Sequence, residues 1–309
     1  MCGEQSSFCP LIFVVSLYIL KVVFKQPLKN ILMKHLFVSD MDGTLLGSDS
    51  RVSPVSADII SRLSRSGVPI TVATARTPAS VEVLLADTLI SVPAIVMTGA
   101  ALWDCASGRY LRPVLLPPEA FVSALGLFAR HGVNPFVYSL DGDSMLTVTH
   151  VPEMNRWETT FYQERRMLKR KRFVFGYDDG ASSCESAILV FGMDEAFKIE
   201  ALADELRRDA CLSVSCYRDI FNPAVANIEV FAAGVSKAAA IRSLASEIGA
   251  DRITVYGDNL NDLPMFGIAD DAVAVANAVP EVLASARRII GPNTADSVAL
   301  DILRVSQYD

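Results

Sequence analysis

The sequence has no Cys-x-x-Cys, no Gly-x-Gly and no Gly-x-Ser-x-Gly. Without the first, its six cysteines, at positions 2, 9, 105, 184, 211 and 216, are scattered thiols. They read as reduced and mostly packed, as in a cytosolic protein. Without the second, a dinucleotide-binding turn has no support. Without the third, neither has a serine hydrolase. Histidine is scarce: His35, His131 and His150 are the only three. Their positions offer no metal-ligand spacing, so any bound metal is expected to be a hard ion held by oxygen. Positive charge is short as well. The net charge of −7 argues against a nucleic-acid partner. One basic run, Lys169-Arg170-Lys171-Arg172, reads as a solvated helix face or strand edge. The longest apolar stretch, Leu11 to Leu20 with Val22-Val23-Phe24 beyond Lys21, falls short of a membrane span of about 20 residues. It is also a poor signal peptide. Glu4 precedes it, no Lys or Arg does, and no small-residue cleavage site follows.

What is present begins at Asp40-Met41-Asp42-Gly43-Thr44-Leu45. A short apolar run, Leu36-Phe37-Val38, precedes it and predicts a buried strand. The strand would deliver both carboxylates to its C-terminal end, where open parallel α/β sheets place their sites. One aspartate can serve as nucleophile and metal ligand, the other as general acid and base. Gly43 lets the backbone turn, and Thr44 offers a hydroxyl and an amide to an anion. Asp-Gly alone is an ordinary turn. The six-residue pattern matches by chance in roughly one chain per thousand at average composition. A calcium loop counted from Asp40 fails, because Leu45 and Arg51 stand where Gly and Glu are needed.

A second strong pattern is Gly257-Asp258-Asn259-Leu260-Asn261-Asp262, after the apolar Ile253-Thr254-Val255-Tyr256. Between the two lie Thr74, at the end of a predicted strand from Val68 to Ala73, and Lys237, at the start of a striped helix from Ala238 to Ile248. A lysine there opposes the helix dipole, a weak sign that it faces an anion; an ordinary surface lysine is the competing reading.

Together these stretches resemble motifs I to IV of the haloacid dehalogenase superfamily, Cof-like subgroup with a type IIB cap. The resemblance covers about residues 33 to 309. It implies an α/β core of Rossmann-like form, with a parallel sheet flanked by helices, and an inserted α+β cap. The core is expected at 33–115 and 222–309, with Asn227 to Phe231 as its returning strand, and the cap at 116–221. Pro93 to Met97 reads as a third core strand. Met33-Lys34-His35-Leu36-Phe37 resembles a natural family start, so residues 1–32 read as a dispensable hydrophobic extension, with a weak membrane anchor or a packed helix as alternatives. The resemblance makes Asp40 the nucleophile, Asp42 the acid and base, and Lys237 a catalytic cation. It places phosphate or substrate against Gly43, Thr44, Thr74, Ala75, Lys237 and Asn261. It assigns Mg²⁺ to Asp40, Asp42, Asp258 and Asp262, with Asp42 contributing its main-chain carbonyl. Ala75 stands where the family often has glycine, and Ser297 likewise. Asn277-Ala278 and Asn293 match the closing pattern.

The expected activity is Mg²⁺-dependent hydrolysis of a small phosphate monoester, such as a sugar phosphate, through an aspartyl-phosphate, in the cytoplasm. Its partner is a small phosphorylated metabolite, not nucleic acid or a membrane. A phosphosugar mutase carries similar motifs, and a metabolite-sensing binding protein is the reading from another class. Asp141, Arg156 and Arg218 are cap charges that could face the cleft, although an ordinary surface place suits each better.

Overall fold

The computed structural model describes residues 34–176, 183–219 and 222–307. The extension at 1–32 lies outside them. In chain order the strands are β1 (His35–Ser39), β2 (Ile70–Val72), β3 (Ala94–Val96), β4 (Ala101–Asp104), β5 (Arg109–Leu111), β6 (Phe136–Asp141), β7 (Met145–His150), β8 (Lys171–Phe175), β9 (Ala187–Glu195), β10 (Leu212–Arg218), β11 (Val225–Ala232), β12 (Arg252–Gly257), β13 (Asp271–Val275) and β14 (Arg288–Ile290). The helices are α1 (Pro54–Arg65), α2 (Pro78–Leu84), α3 (Pro118–Arg130), α4 (Arg156–Arg165), α5 (Ala196–Leu206), α6 (Lys237–Ile248), α7 (Leu263–Phe266), α8 (Pro280–Ser285) and α9 (Ser297–Val305).

Five strands form a parallel sheet in the order β14-β13-β12-β1-β2. Every residue of β1 and β13 is buried, as expected of strands covered by helices on both faces. The crossover helices start where their caps dictate. Ser53 accepts a hydrogen bond from the Ser56 amide ahead of Pro54, and Ser236 accepts one from the Ala239 amide ahead of α6. β3 touches this sheet through one parallel bridge, Ala73 to Ile95, and otherwise pairs in a small antiparallel sheet with β4 and β5. The expected third core strand is thus shared with a hairpin that the sequence did not announce.

The remaining strands form a six-stranded sheet, β10-β11-β9-β6-β7-β8, antiparallel except for β7 with β8. Val137, Val190, Ile228 and Val230 on one face pack with Phe121, Phe128, Ile199 and Leu202 of α3 and α5. On the other face, Phe136 and Phe191 pack tilted against Phe161 of α4 with centroids 5.1 and 5.0 Å away. That second face shares one apolar cluster with the five-stranded sheet.

Two expectations are corrected. The strand at Asn227 to Phe231 does not rejoin the parallel sheet: it is β11 and pairs with β10 and β9. All eight of its residues are buried. A central antiparallel strand covered on both faces carries the same unbroken apolar run as a parallel one. The basic run is not one solvated face either. Lys171 is buried, because alternation along β8 turns it to the opposite side from Arg172.

Candidate active site

β1 and β12 are neighbours in register, Ser39 opposite Tyr256, so Asp40 and Asp258 leave the sheet side by side at one end. Asp40 is buried, and Lys237 reaches it from the first residue of α6, Nζ to Oδ1, at 2.5 Å. The same ammonium donates to Asp262 Oδ1 at 2.8 Å. The other Asp262 oxygen accepts from the backbone amides of Asp258 and Asn259, at 3.0 and 3.2 Å. Asp258 Oδ1 accepts from the Thr44 hydroxyl at 2.8 Å. Asp40, Asp258 and Asp262 each bring one carboxylate oxygen within 4.8 Å of the others.

The first motif folds as its glycine requires. Gly43 has φ +77°, and a Cβ there would lie 2.3 Å from Asp258 Oδ2. Its carbonyl accepts from the Asn277 side chain at 2.8 Å. Asn293 donates from its backbone to Asn277 and from its side chain to the Leu46 carbonyl. The two asparagines of the closing pattern therefore hold the first motif in its turn. Gly43→Ala meets both the left-handed backbone penalty of about 1–2 kcal/mol and the Asp258 oxygen. We expect it to lower the melting temperature and to cut activity at least ten-fold, measured by calorimetry and turnover; wild-type values for both would mean that the turn tolerates a side chain.

Other expected residues are placed differently. The Asp42 carboxylate is exposed and turned to Arg76, which donates to both of its oxygens at 2.7 Å from Nε and a terminal nitrogen. It does not join the acidic cluster. Thr44 is buried and spends its hydroxyl on Asp258 rather than offering it outward. Thr74 is buried at the end of β2 and accepts from the Arg76 amide at 3.1 Å. Ala75 and Asn261 are exposed at the rim. The three cap charges are surface charges: Asp141 pairs with Arg172, Arg218 with Glu200, and Arg156 lies over the Trp157 ring.

The sequence reading missed three residues beside this cluster. Arg76 follows Thr74-Ala75, and its place after a strand end was the available signal. Thr98 adopts φ +58°, rare for a β-branched residue; strain of that kind gathers at functional sites. Its hydroxyl reaches Glu229 Oε2 at 3.4 Å. Glu229 is a buried carboxyl on β11 that also accepts from Tyr217 at 3.4 Å. Nothing in its local pattern marks it.

A family model described as haloacid dehalogenase-like hydrolase matches residues 37–302. The chain belongs to that family. Among curated proteins it is 26% identical over 266 residues to 5-amino-6-(5-phospho-D-ribitylamino)uracil phosphatase YcsE of Bacillus subtilis, covering 85% of this chain and 92% of the relative. It is 23% identical over 270 residues to pyridoxal phosphate phosphatase YbhA of Escherichia coli, covering 84% and 94%. A solved haloacid dehalogenase-like hydrolase from Bacteroides thetaiotaomicron shares the fold with a TM-score of 0.71 at 22% identity, over 88% of this chain and 99% of that one. The chain is thus a hydrolase whose curated relatives carry the names of phosphatases.

In this hydrolase, burial sets the electrostatics. It pushes the Asp40 carboxyl up to about 7 against the pull of Lys237, with Asp262 and Asp258 adding to the rise. It raises Asp258 to about 6. Lys237 is held above its ordinary value by Asp40 and Asp262, although burial opposes this. Crowded carboxylates of this kind suit a cation. Asp40, Asp258 and Asp262 each keep a carboxylate lone pair for one, and Asp262 also orients Lys237. The donor set is all oxygen, which fits a hard divalent ion such as Mg²⁺.

Burial also raises Glu229, to about 7. A carboxyl raised in the fold keeps its proton there after the unfolded chain has lost it. The contribution of Glu229 to stability therefore falls as pH rises from 4.5 to about 7. Glu229→Gln removes that loss, so relative to wild type it is expected to gain on the order of 3 kcal/mol across the window. Denaturant midpoints at pH 4.5 and 7.5 test this; parallel pH dependence in the two proteins would place Glu229 at its ordinary value.

No helix among the described residues is long and apolar enough to cross a membrane.

Proposed function

We propose that the chain is a Mg²⁺-dependent phosphatase that hydrolyses a small phosphorylated metabolite in the cytoplasm through an aspartyl-phosphate. The observation that carries this reading is Asp40: a buried carboxylate at a parallel-strand end, 2.5 Å from Lys237, with Asp258 beside it. The relatives named above are called after 5-amino-6-(5-phospho-D-ribitylamino)uracil and pyridoxal phosphate, both small phosphate monoesters. Asp40 Oδ attacks phosphorus, a bond forms between them, and the ester oxygen leaves with the electron pair. Asp42 gives that oxygen a proton and then takes one from the water that opens the acyl phosphate. Since both Asp42 oxygens face Arg76, one must swing free when substrate enters. Lys237 and the backbone amides of the first motif counter the charge on the equatorial oxygens, where it spreads in the transition state. Thr74 and Asn261 stand at the same sheet end to meet phosphate or substrate. Asp40, Asp258 and Asp262, with the Asp42 carbonyl, would hold Mg²⁺, which supplies charge neutralisation at the phosphoryl group.

The domain division belongs to the same reading. The parallel sheet and its helices form the catalytic core, and the segment from 116 to about 232 forms the cap. Its far boundary moves from 221 because β11 pairs within the six-stranded sheet.

Phosphate release by the full chain from a panel of sugar phosphates and an aryl phosphate, with Mg²⁺ and with a chelator, tests the reading. Release that needs Mg²⁺ supports it. Isomer interconversion that depends on a bisphosphate activator would replace it with a mutase. Tight metabolite binding without turnover would make the chain a sensor.

A further inference from the structure

Charged side chains around the cleft come with partners. Arg76 holds Asp42, Arg170 reaches Glu82 at 3.2 Å, and Arg172 reaches Asp141 at 2.8 Å. Lys171 differs. Only 9% of it is exposed. Among the described residues its ammonium has neither a carboxylate nor a hydrogen-bond acceptor. It lies 5.2 Å from the centroid of the Tyr138 ring and 5.9 Å from that of Phe173. The charge it feels is that of Arg165, a second cation, and burial and this neighbour together bring it down to about 7.

The place of Lys171 in the sheet matters as much as its isolation. Lys171 and Phe173 of β8, Leu146 and Val148 of β7 and Tyr138 of β6 share one face by register. It is the face turned away from α3 and α5. Tyr138, midway across, feels both Arg165 and Glu229. Glu229 in turn meets Thr98 and feels Lys237. One face of the sheet thus runs from the Lys237 end of the site to Lys171. A cavity of about 280 Å³ is lined by Arg76 and Ser80 on one side and by Glu164, Arg165 and Leu168 on the other, with Arg165 paired to Glu164 at 2.6 Å. Arg76 is the residue that holds Asp42, so the cavity starts where a leaving group would emerge.

We propose that Lys171, with Arg165 beside it, binds a second anionic group, a carboxylate or a phosphate, on the leaving-group end of the substrate. The proposal rests on the phosphatase reading of Asp40. An ammonium without an acidic partner, on a mostly apolar wall, forms a charge-assisted hydrogen bond when an anion arrives. An anion between two cations also relieves their repulsion. Lys171 supplies the point charge, and Arg165, one of whose terminal nitrogens already donates to Glu164 and the Phe161 carbonyl, supplies its remaining donors. The sheet face between them and the site is apolar and aromatic, suited to a carbon skeleton several atoms long.

Two matched pairs of compounds test this: fructose 6-phosphate against fructose 1,6-bisphosphate, and glycerol 3-phosphate against 3-phosphoglycerate. The first adds a phosphate and the second has a carboxylate. The wild-type enzyme is expected to prefer the doubly anionic member of at least one pair by ten-fold or more in kcat/KM. Lys171→Met is expected to remove about ten- to hundred-fold of that preference, the range of a hydrogen bond to a charged group. Its effect on the singly anionic members should stay below three-fold. Its melting temperature should match or exceed that of wild type, because an unpaired buried cation gives way to an apolar chain of similar length. A lysine that served the fold alone would show the reverse: lower stability and no change in preference. Equal losses on both members of a pair would overturn the proposal. Calorimetric binding of the same four compounds to Asp40→Asn separates it from the phosphatase reading. Preferential binding of the bisphosphate or the carboxylate without release by wild type would sink the phosphatase and keep the anion site. Preference in neither turnover nor binding would sink the anion site.

Discussion

Asp40→Asn is expected to lower phosphate release by about a thousand-fold or more, the scale seen when a covalent nucleophile is removed. The substitution is close to isosteric. The asparagine carbonyl can still accept from Lys237, whose ammonium keeps Asp262 as a second partner. What disappears is the nucleophilic oxygen and one negative charge in a crowded cluster. The fold should therefore survive. Burial, with Asp262 and Asp258 adding and Lys237 opposing, raises the Asp40 carboxyl to about 7, so an amide there is no harder to bury than the acid it replaces. Release assays with and without Mg²⁺, set beside the melting temperature, check the prediction. Activity within ten-fold of wild type in a folded Asp40→Asn protein would move the nucleophile elsewhere. Asp42 would not inherit the role easily, because its carboxylate is exposed and clamped by Arg76.

The parts of this molecule that could be read from sequence are those in which local chemistry and position coincide. Asp40 and Asp258 follow short buried strands, and a parallel sheet places successive strand ends together whatever lies between them in the chain. Ser53 and Ser236 announce their helices by the caps they make. Lys237 stood evenly between a surface role and an anion-facing one, because a lysine at a helix start looks the same in both cases. Only the arrival of Asp40 and Asp262 from distant segments makes it a buried ion pair. Pairing decisions were less legible. Val225–Ala232 carries an apolar run that fits either sheet, and nothing local chooses β9 and β10 over β2. Lys171 is hidden by its neighbours: four consecutive cations look like one solvated face until alternation along β8 separates Lys171 from Arg172. Arg76 and Glu229 act through partners 34 and 131 residues away, Asp42 and Thr98, a kind of pairing that a single sequence does not encode.

Lys237→Met is expected to damage both stability and turnover, and the combination is what identifies the ion pair as the centre of the site. Lys237 is 2% exposed and stands between two carboxylates, one at 2.5 Å and one at 2.8 Å. Removing one partner of a buried pair leaves the other charge uncompensated, at about 3–5 kcal/mol. For a chain of this size that corresponds to a fall in melting temperature on the order of 10 °C in metal-free protein. Loss of a preorganised cation aimed at developing charge adds about 10²–10³-fold in kcat. A double-mutant cycle separates the two contributions. In the Asp40→Asn background, Lys237 has only Asp262 left to neutralise, so Lys237→Met should destabilise by clearly less than it does alone. The coupling is expected to exceed about 1 kcal/mol, well beyond the few tenths typical of independent sites. Strict additivity would mean that the two side chains are neighbours without being partners, and that the acidic cluster is held together by Asp262 and the backbone amides instead.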